Sequence, residues 1–210
     1  MASVYAVLHD ENGAFLMAQK RAREYYVHTA YGGRVDKDGW PLTNGGGRYA
    51  LPGGALDEAD IEKGAAREFF EETGLTLPVS ALRNPRVVKF DGSGQVVSAN
   101  KNFAFAAVYF KVSEEDVIVT ENNISEFALP NSKRIVVAIE SREIKAYSEI
   151  QAYARKHGMV AWPADNELDW VWRWNVYDGN DWNAIRGMRG DPQIGWYYSV
   201  LEYLRDHILR

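Results

Sequence analysis

The sequence predicts an α+β fold in which a mixed β-sheet is sandwiched between helices. Two largely apolar runs of strand length open the chain around a hairpin turn, and a third, residues 103–112, is apolar almost throughout. A separate segment, residues 60–73, carries its apolar residues at helical spacing. Because hairpins and helices both connect the strands, we expect a mixed sheet in a single domain over residues 1–210, with insertions at about 22–47 and 113–165.

Turn residues divide the chain into further elements. Residues 4–8 and 15–20 are predicted to form a hairpin around Asn12-Gly13, because glycine accepts positive φ without steric cost. The glycine-rich residues 22–47 predict a long loop or a short extra hairpin. The other predicted strands are residues 48–51, 86–90, 95–98, 103–112, 135–139 and 169–176, and the other predicted helices are residues 142–157 and 196–208.

The composition restricts the class of protein. The chain has 210 residues, of which 46% are hydrophobic and 25% charged, as is typical of a globular protein. It contains no cysteine, which excludes disulfides, thiol catalysis and cysteine-ligated zinc. The net charge of −5 argues against a basic nucleic-acid surface, and no apolar run reaches the roughly 20 residues of a membrane helix. We therefore expect a cytoplasmic protein without a membrane partner, and nucleic acid is not the expected ligand.

Three glutamates share one face of the helix predicted for residues 60–73. Glu68, Glu71 and Glu72 stand at i, i+3 and i+4, so ~100° per residue places the last two within about 60° of Glu68 around the helix axis. Like charges at this spacing repel one another, and Arg67 is a single cation beside them. Proteins bind Mg²⁺ through carboxylates together with substrate phosphates. The pattern thus favours a divalent-cation site, with a solvated acidic face as the alternative.

The residues around this helix resemble the Nudix box, the signature of hydrolases that cleave a nucleoside diphosphate linked to another group. Residues 67–75, Arg-Glu-Phe-Phe-Glu-Glu-Thr-Gly-Leu, match the second half of the family pattern, and Leu51-Pro52-Gly53-Gly54 resembles its usual lead-in. The resemblance implies a Nudix fold over most of residues 1–112 and 166–210. It also implies metal-dependent hydrolysis of a pyrophosphate bond in a small nucleotide, such as a nucleotide sugar, a dinucleotide or a nucleoside triphosphate.

The first half of the box departs from the family pattern. Counting back from Arg67 puts the glycine of the pattern at Gly53 and its first glutamate at Ala59, whereas a deletion of one residue puts Gly54 and Asp60 in those places. We prefer the deletion, because Gly-Gly-Ala-Leu-Asp-Glu then runs in register with typical boxes. In the family this first acid braces the box arginine, so the resemblance implies that Asp60 supports Arg67.

The resemblance also assigns roles to the matched residues. Glu68, Glu71 and Glu72 are expected to bind Mg²⁺ or Mn²⁺, with the carbonyl oxygen of Gly54 (or Gly53) as a further ligand. Glu71 and Glu72 are expected to be catalytic together with Arg67, which orients the carboxylates. Gly53 and Gly74 are expected to support the box structurally.

The family often takes a general base, or a further metal ligand, from an acid far beyond the box. Glu167 resembles that acid, because it precedes the Trp-rich segment 169–176. Glu121 and Glu126 are the alternatives. A solvated surface position without a role in catalysis is the ordinary explanation for each of the three, because most glutamates are exposed. The sequence leaves the choice among these three residues open.

The substrate contacts are the least determined part of the site. Arg21, Arg34 and Arg48 are candidates for binding substrate phosphates, although ordinary solubilising charge explains them equally well. A protein of the same fold that binds a nucleotide as a sensor, with weak or no turnover, is the alternative function. The intact Arg67 and its three glutamates argue against that loss of activity. A homodimer is a further expectation from the resemblance.

Overall fold

The computed structural model describes residues 2–29, 31–43 and 45–210. The strands are β1 (Ser3–His9), β2 (Ala14–Lys20), β3 (Arg23–Val27), β4 (Arg34–Pro41), β5 (Tyr49–Ala50), β6 (Gly53–Ala55), β7 (Arg86–Phe90), β8 (Phe105–Lys111) and β9 (Leu168–Asn175). The helices are α1 (Ile61–Thr73), α2 (Glu114–Asn123), α3 (Leu129–Glu140), α4 (Ile150–Lys156), α5 (Gly179–Gly187) and α6 (Gly195–Tyr203). Wider π-helical turns at Ile124–Ala128 and Leu204–Ile208 follow α2 and α6.

A mixed sheet forms the centre of the fold. Its strands lie in the order β5-β2-β1-β8-β7, with β6 paired to β1 and β9 paired to β2. β1 and β8 run parallel to each other, in register from Ser3↔Phe105 to His9↔Lys111, and β1 pairs with β2 and β6 in antiparallel orientation. The predicted α+β fold with a mixed sheet is therefore confirmed.

Helices cover both faces of the sheet. On one face, Ala65 and Phe69 of α1 and Val117 of α2 pack in a hydrophobic cluster with β1 and β8. On the other face, residues of α5 and α6, among them Ile185 and Leu201, pack against the same strands. β8 is consequently buried on both sides from Phe105 to Phe110, which confirms the interpretation of the apolar run at 103–112.

The two predicted insertions pack against each other. The first contains a hairpin, β3 paired with β4, so the hairpin alternative for residues 22–47 is confirmed, although Ala30 and Asn44 of that segment lie outside the described residues. The second contains α2, α3 and α4. Tyr26 of β3 and Ile135, Ile139 and Ile150 of the second insertion share a third hydrophobic cluster. The hairpin thus packs with α3 and α4, whereas α2 of the second insertion is one of the helices that cover the sheet.

Several predicted elements are wrong. Residues 135–139 lie in α3, because Ser132, Ile135, Val136 and Ile139 are buried at helical spacing, and this packing outweighs the strand propensity of the β-branched run. Residues 95–98 form no strand, since only Val96 bridges to Phe90. The helix predicted for 142–157 is regular only from Ile150, and the helices α2 and α5 were not predicted.

Within the described part of the chain, no helix is both long enough and apolar enough to cross a membrane.

Candidate functional site

The helix α1 has well-defined ends. Asp60 is its N-cap, and the Asp60 Oδ1 accepts hydrogen bonds from the backbone N–H groups of Glu62 (3.1 Å) and Lys63 (3.2 Å). Gly74 follows the last turn at a φ of 75°, and its N–H donates to the Phe70 carbonyl at 2.8 Å. A Cβ at this position would lie 2.5 Å from the backbone carbonyl carbon of Trp162. Both the conformation and the packing therefore require glycine here.

The three glutamates of α1 lie against the glycines of β6. Glu72 is 2% exposed, and its Oε2 accepts a hydrogen bond from the Gly53 N–H at 3.1 Å. Glu68 is 7% exposed, and its carboxylate lies so close to Gly54 that a Cβ there would come within 2.4 Å of Oε2. The side chain of Glu71 is also largely buried. The face that the helix turns towards β6 is therefore acidic and mostly shielded from water.

Arg67 connects the carboxylates at the start of this face. Its guanidinium lies 2.9 Å from Glu68 Oε1 and 2.5 Å from Glu71 Oε2, and it donates to the Ala55 carbonyl at 3.0 Å. Its Nε donates to Glu58 Oε1 at 2.6 Å. The acid that braces Arg67 is thus Glu58, whereas Asp60 caps the helix. This corrects the contact expected of Asp60, because the chain turns between the two residues.

Lys20 brings a second cation to the glutamates. Its ammonium nitrogen is 3.5 Å from Glu72 Oε1 and also forms an ion pair with Glu167. The Lys20 side chain is only 11% exposed and that of Glu167 is 22% exposed. Glu167 therefore lies in the same cluster as the α1 glutamates. Lys20 begins the basic run Lys20-Arg21-Ala22-Arg23, which the sequence offers for substrate phosphates, and strand alternation places it on the side of Leu16 and Ala18, which faces α1.

Two further acids extend the cluster towards the insertions. Glu24 of β3 is 4% exposed, and its Oε2 accepts a hydrogen bond from the Trp40 indole N–H at 2.7 Å, while its Oε1 has no partner among the residues that the structure describes. Asp165 accepts a hydrogen bond from the backbone N–H of His28, and its own N–H donates to the Glu71 carbonyl at 3.0 Å. Neither acid was predicted, because no local pattern connects them to the helix.

Burial and mutual repulsion change the acidity of these groups. Burial raises the pKa of Glu24 and Glu68 to about 7 each, and repulsion from Glu167 adds to the shift in both. Burial raises the pKa of Asp165 to about 8, and it raises the pKa of Glu72 well above its ordinary value. Burial by itself would lower the pKa of Lys20, but Glu72 and Glu167 outweigh that effect and raise it. Among the described residues, the cluster thus holds more acidic groups than Lys20 and Arg67 can pair with.

This excess of buried oxygen donors fits Mg²⁺ or Mn²⁺, which prefer carboxylate and carbonyl ligands. Within the described residues, no group of three or more Asp, Glu or His side chains already stands in an arrangement that holds a metal ion. The carboxylate oxygens instead contact Arg67 and Lys20. The chemistry of the donors therefore agrees with the cation that the resemblance implies.

Within the described structure, the side chains of the other predicted site residues make no hydrogen bond or ion pair with the α1 glutamates. Glu121 accepts a hydrogen bond from the Arg173 N–H at 3.2 Å, on the open edge of β9, and Glu126 is exposed. Arg48 forms an ion pair with Asp191 at 3.0 Å. The guanidinium of Arg34 lies 4.3 Å above the Trp40 ring, and Arg21 donates to the Leu168 carbonyl at 3.1 Å. Among the described residues, none of these arginines is paired with a glutamate of α1.

An aromatic pocket of about 430 Å³ opens beside Lys20 and the glycines of β6. Tyr5, Phe105, Trp196 and Tyr197 line it. The Trp196 indole N–H is buried and has no hydrogen-bond partner within the described structure. A second cavity of about 670 Å³, which we call the outer pocket, shares Phe105 and Trp196 with the first. Its other lining residues are mostly polar and include Ser93, Gln95, Arg189, Ser199 and Glu202.

Comparison with known proteins identifies the family of this chain. A family model described as NUDIX domain matches residues 1–148. A search of curated proteins finds no match. Among solved structures, the chain resembles a MutT protein from Methanosarcina mazei Go1, with 23% identity over 53% of this chain and 61% of that chain, and a TM-score of 0.29.

Two other solved structures are similar. The bifunctional NMN adenylyltransferase/ADP ribose pyrophosphatase from Francisella tularensis shows 22% identity over 53% of this chain and 26% of that chain (TM-score 0.32). NrtR from Shewanella oneidensis shows 14% identity over 99% of this chain and 63% of that chain (TM-score 0.41). The chain thus spans less than two thirds of each of these proteins. A structure of Shewanella oneidensis NrtR complexed with a 27mer DNA is also similar, with 14% identity over 99% of this chain and 61% of that chain (TM-score 0.38).

Proposed function

The chain belongs to the Nudix family, and on that premise we propose that it hydrolyses the pyrophosphate bond of a nucleoside diphosphate derivative with the help of Mg²⁺ or Mn²⁺. One observation carries the proposal. Glu68 and Glu72 are buried against the β6 glycines, and the half-buried Glu71 and Glu167 belong to the same cluster. Among the described residues, Lys20 and Arg67 are the cations that pair with them. Buried carboxylates in such excess are costly unless a bound cation completes the site.

In the proposed mechanism, Glu68, Glu71 and Glu72 would hold the cation together with the carbonyl oxygen of Gly54 (or Gly53). When bound, the cation neutralises phosphate charge and activates water. Arg67 orients the carboxylates of Glu68 and Glu71 through the contacts described above.

Two other side chains would act on the reactants. Glu167 would accept the proton of the attacking water, because it is the partly exposed acid next to Glu72 and Lys20. Lys20 lines the aromatic pocket and would place its positive charge on the substrate phosphates.

The two cavities indicate the class of substrate. The aromatic pocket would take the nucleoside, since Trp196 and Tyr5 offer ring faces for stacking and Lys20 lies beside them. The outer pocket would take the group linked to the diphosphate, because it shares a wall with the first and offers the polar side chains of Ser93, Gln95 and Ser199 beside the charged Arg189, Asp191 and Glu202. We therefore propose a nucleoside diphosphate linked to a second bulky, polar group, such as a nucleotide sugar, in preference to a nucleoside triphosphate.

Chromatographic separation of the products from a panel of nucleotides tests this function, because cleavage of a linked nucleoside diphosphate gives a nucleoside monophosphate and a phosphate monoester. The panel holds ADP-ribose, nucleotide sugars, NADH, dinucleoside polyphosphates, coenzyme A and dNTPs, each with Mg²⁺, Mn²⁺ or EDTA. We expect metal-dependent cleavage of a nucleotide sugar class and weaker cleavage of dNTPs. A preference for dNTPs would contradict the substrate class, and no cleavage by the folded protein would favour the sensor alternative.

Glu72→Gln tests the metal site. We expect turnover to fall at least about 100-fold, the scale on which removal of one electrostatic stabiliser acts, without unfolding of the protein. Glu62→Gln is the matched control, because Glu62 lies in the exposed first turn of the same helix. Full activity of the Glu72 variant would overturn the assignment of the glutamates.

Glu167→Gln tests the general base against its rival. We expect a fall in kcat of about 100-fold or more with KM changed little, because the variant keeps the shape but cannot accept a proton. Glu121→Gln should retain activity, since Glu121 serves the backbone of β9. The reverse result in these two variants would transfer the role to Glu121.

A further inference from the structure

Asn166 is a fully buried polar residue between the two acids of the site, Asp165 and Glu167. It is 0% exposed, although it lies in the loop that precedes β9. Loop residues are ordinarily at the surface, and a buried amide is tolerated only when it is hydrogen-bonded. Its place in the chain therefore calls for an explanation.

The hydrogen bonds of Asn166 join both insertions. Its Nδ2 donates to Ser132 Oγ of α3 at 2.7 Å, and the Tyr26 hydroxyl lies 2.9 Å from the same Ser132 oxygen. Its Oδ1 accepts from the Tyr25 N–H of β3 at 3.3 Å, and its own N–H donates to the Tyr26 carbonyl at 3.0 Å. Ser132 and Tyr26 are themselves fully buried. One side chain thus connects the first insertion, the second insertion and the loop before β9.

The residues on either side of Asn166 are turned towards the catalytic cluster. Asp165 donates its N–H to the carbonyl of Glu71 at 3.0 Å. Glu167 pairs with Lys20, and its carbonyl accepts from the Arg21 N–H at 2.7 Å. A buried amide without hydrogen-bond partners destabilises the folded state. The hydrogen bonds of Asn166 therefore favour this one path of the loop over others.

We propose that Asn166 is a positioning residue, which holds Glu167 beside Glu72 and so makes the two insertions part of the catalytic apparatus. The inference rests on the proposed function, in which Glu167 acts on the attacking water. It gives the insertions a role beyond extra packing. A purely structural amide would contribute to stability but would act on turnover independently of Glu167.

A double-mutant cycle tests this role. We expect Asn166→Ala to lower kcat about tenfold or more while KM changes less than about threefold, and we expect the Asn166→Ala/Glu167→Gln double variant to match Glu167→Gln alone. Asn131→Ala is the matched control, because Asn131 also lies on α3 and donates to the Ala161 carbonyl at 2.8 Å, but upstream of the acids. Losses in kcat that multiply in the double variant would overturn the proposal.

Two further measurements complete the test. If Asn166→Ala does not fold, Ser132→Ala removes only one of its partners, and a kcat loss that disappears in the Glu167→Gln background is expected. Hydrogen exchange of the peptide covering residues 163–169 reports the placement of the loop without turnover. Faster exchange in Asn166→Ala, but not in Asn131→Ala, supports the positioning role even if no substrate is cleaved, in which case only the proposed function fails. Unchanged exchange would overturn the inference.

Discussion

At the scale of single residues, the charge balance of the site depends on side chains that the signature does not contain. Lys20 neutralises part of Glu72 and Glu167, and Glu58 holds Arg67. Burial raises the pKa of Glu24 to about 7 and that of Asp165 to about 8, and repulsion from Glu167 adds to both shifts. Such raised acids tie the stability of the metal-free protein to pH.

We expect the free energy of unfolding in EDTA to fall as the pH rises from 5 to 8. An acid whose pKa is raised by folding binds its proton more tightly in the folded state, so its contribution to stability is complete below its ordinary pKa and is lost as the pH rises through the folded value. Glu24→Gln keeps this side chain neutral at every pH. In urea unfolding, the slope of the unfolding free energy against pH should be shallower in this variant, so that the total fall from pH 5 to 8 is about 1–3 kcal/mol smaller. Asp57→Asn, at an exposed position, should leave the slope unchanged. An unchanged slope in Glu24→Gln would contradict the raised pKa of Glu24.

At the scale of elements, the two ends of α1 are determined locally, whereas its inward face is determined by its neighbours. Asp60 and Gly74 define where the helix begins and ends. In α3, by contrast, tertiary packing decides the conformation. Its β-branched run favours a strand, but packing in the third hydrophobic cluster stabilises a helix instead.

Asp60→Ala separates capping from catalysis. We expect Tm to fall by about 2–4 °C, because two backbone N–H groups lose their acceptor, while turnover stays unchanged since Glu58 holds Arg67. Asp57→Ala should leave Tm as it is. Calorimetry measures Tm, and the product assay described above measures turnover. Loss of turnover at unchanged Tm would restore the expected role of Asp60 as the brace of Arg67.

At the scale of the whole molecule, the sheet, the loop before β9 and the insertions connect three hydrophobic clusters. Asn166 and Tyr26 connect the third cluster to the site. On this basis we propose that residues 1–210 unfold as one domain, in agreement with the expectation from the sequence.

Ile139→Ala tests that cooperativity. Ile139 is 1% exposed in the third cluster, so we expect a loss of about 2–5 kcal/mol in one unfolding transition followed by near- and far-ultraviolet circular dichroism. Val137→Ala is the matched control on the same helix, since Val137 is 62% exposed and should change stability by about 0.5 kcal/mol at most. Two separate transitions would show that the insertions fold as a unit of their own.

The sequence by itself determined those features that depend on local geometry. The spacing of Glu68, Glu71 and Glu72 settles their common face, because the rise and turn of a helix are set by its backbone. The positions of the hairpin at Gly13, the helix end at Gly74 and the buried strand β8 were predictable for the same reason. The resemblance to the family depended on residues 67–75 and the lead-in Leu51-Pro52-Gly53-Gly54.

The tertiary structure decided which distant residues meet these glutamates. Glu58 lies nine positions before Arg67, Lys20 comes from β2, and Asp165 and Glu167 come from a loop held by the insertions. No period of the chain relates such residues, because their contacts follow from how hydrophobic clusters pack and from which buried polar groups must be satisfied. The sequence therefore predicted the charged helix of the candidate site, whereas the fold brought the distant residues into contact with that helix.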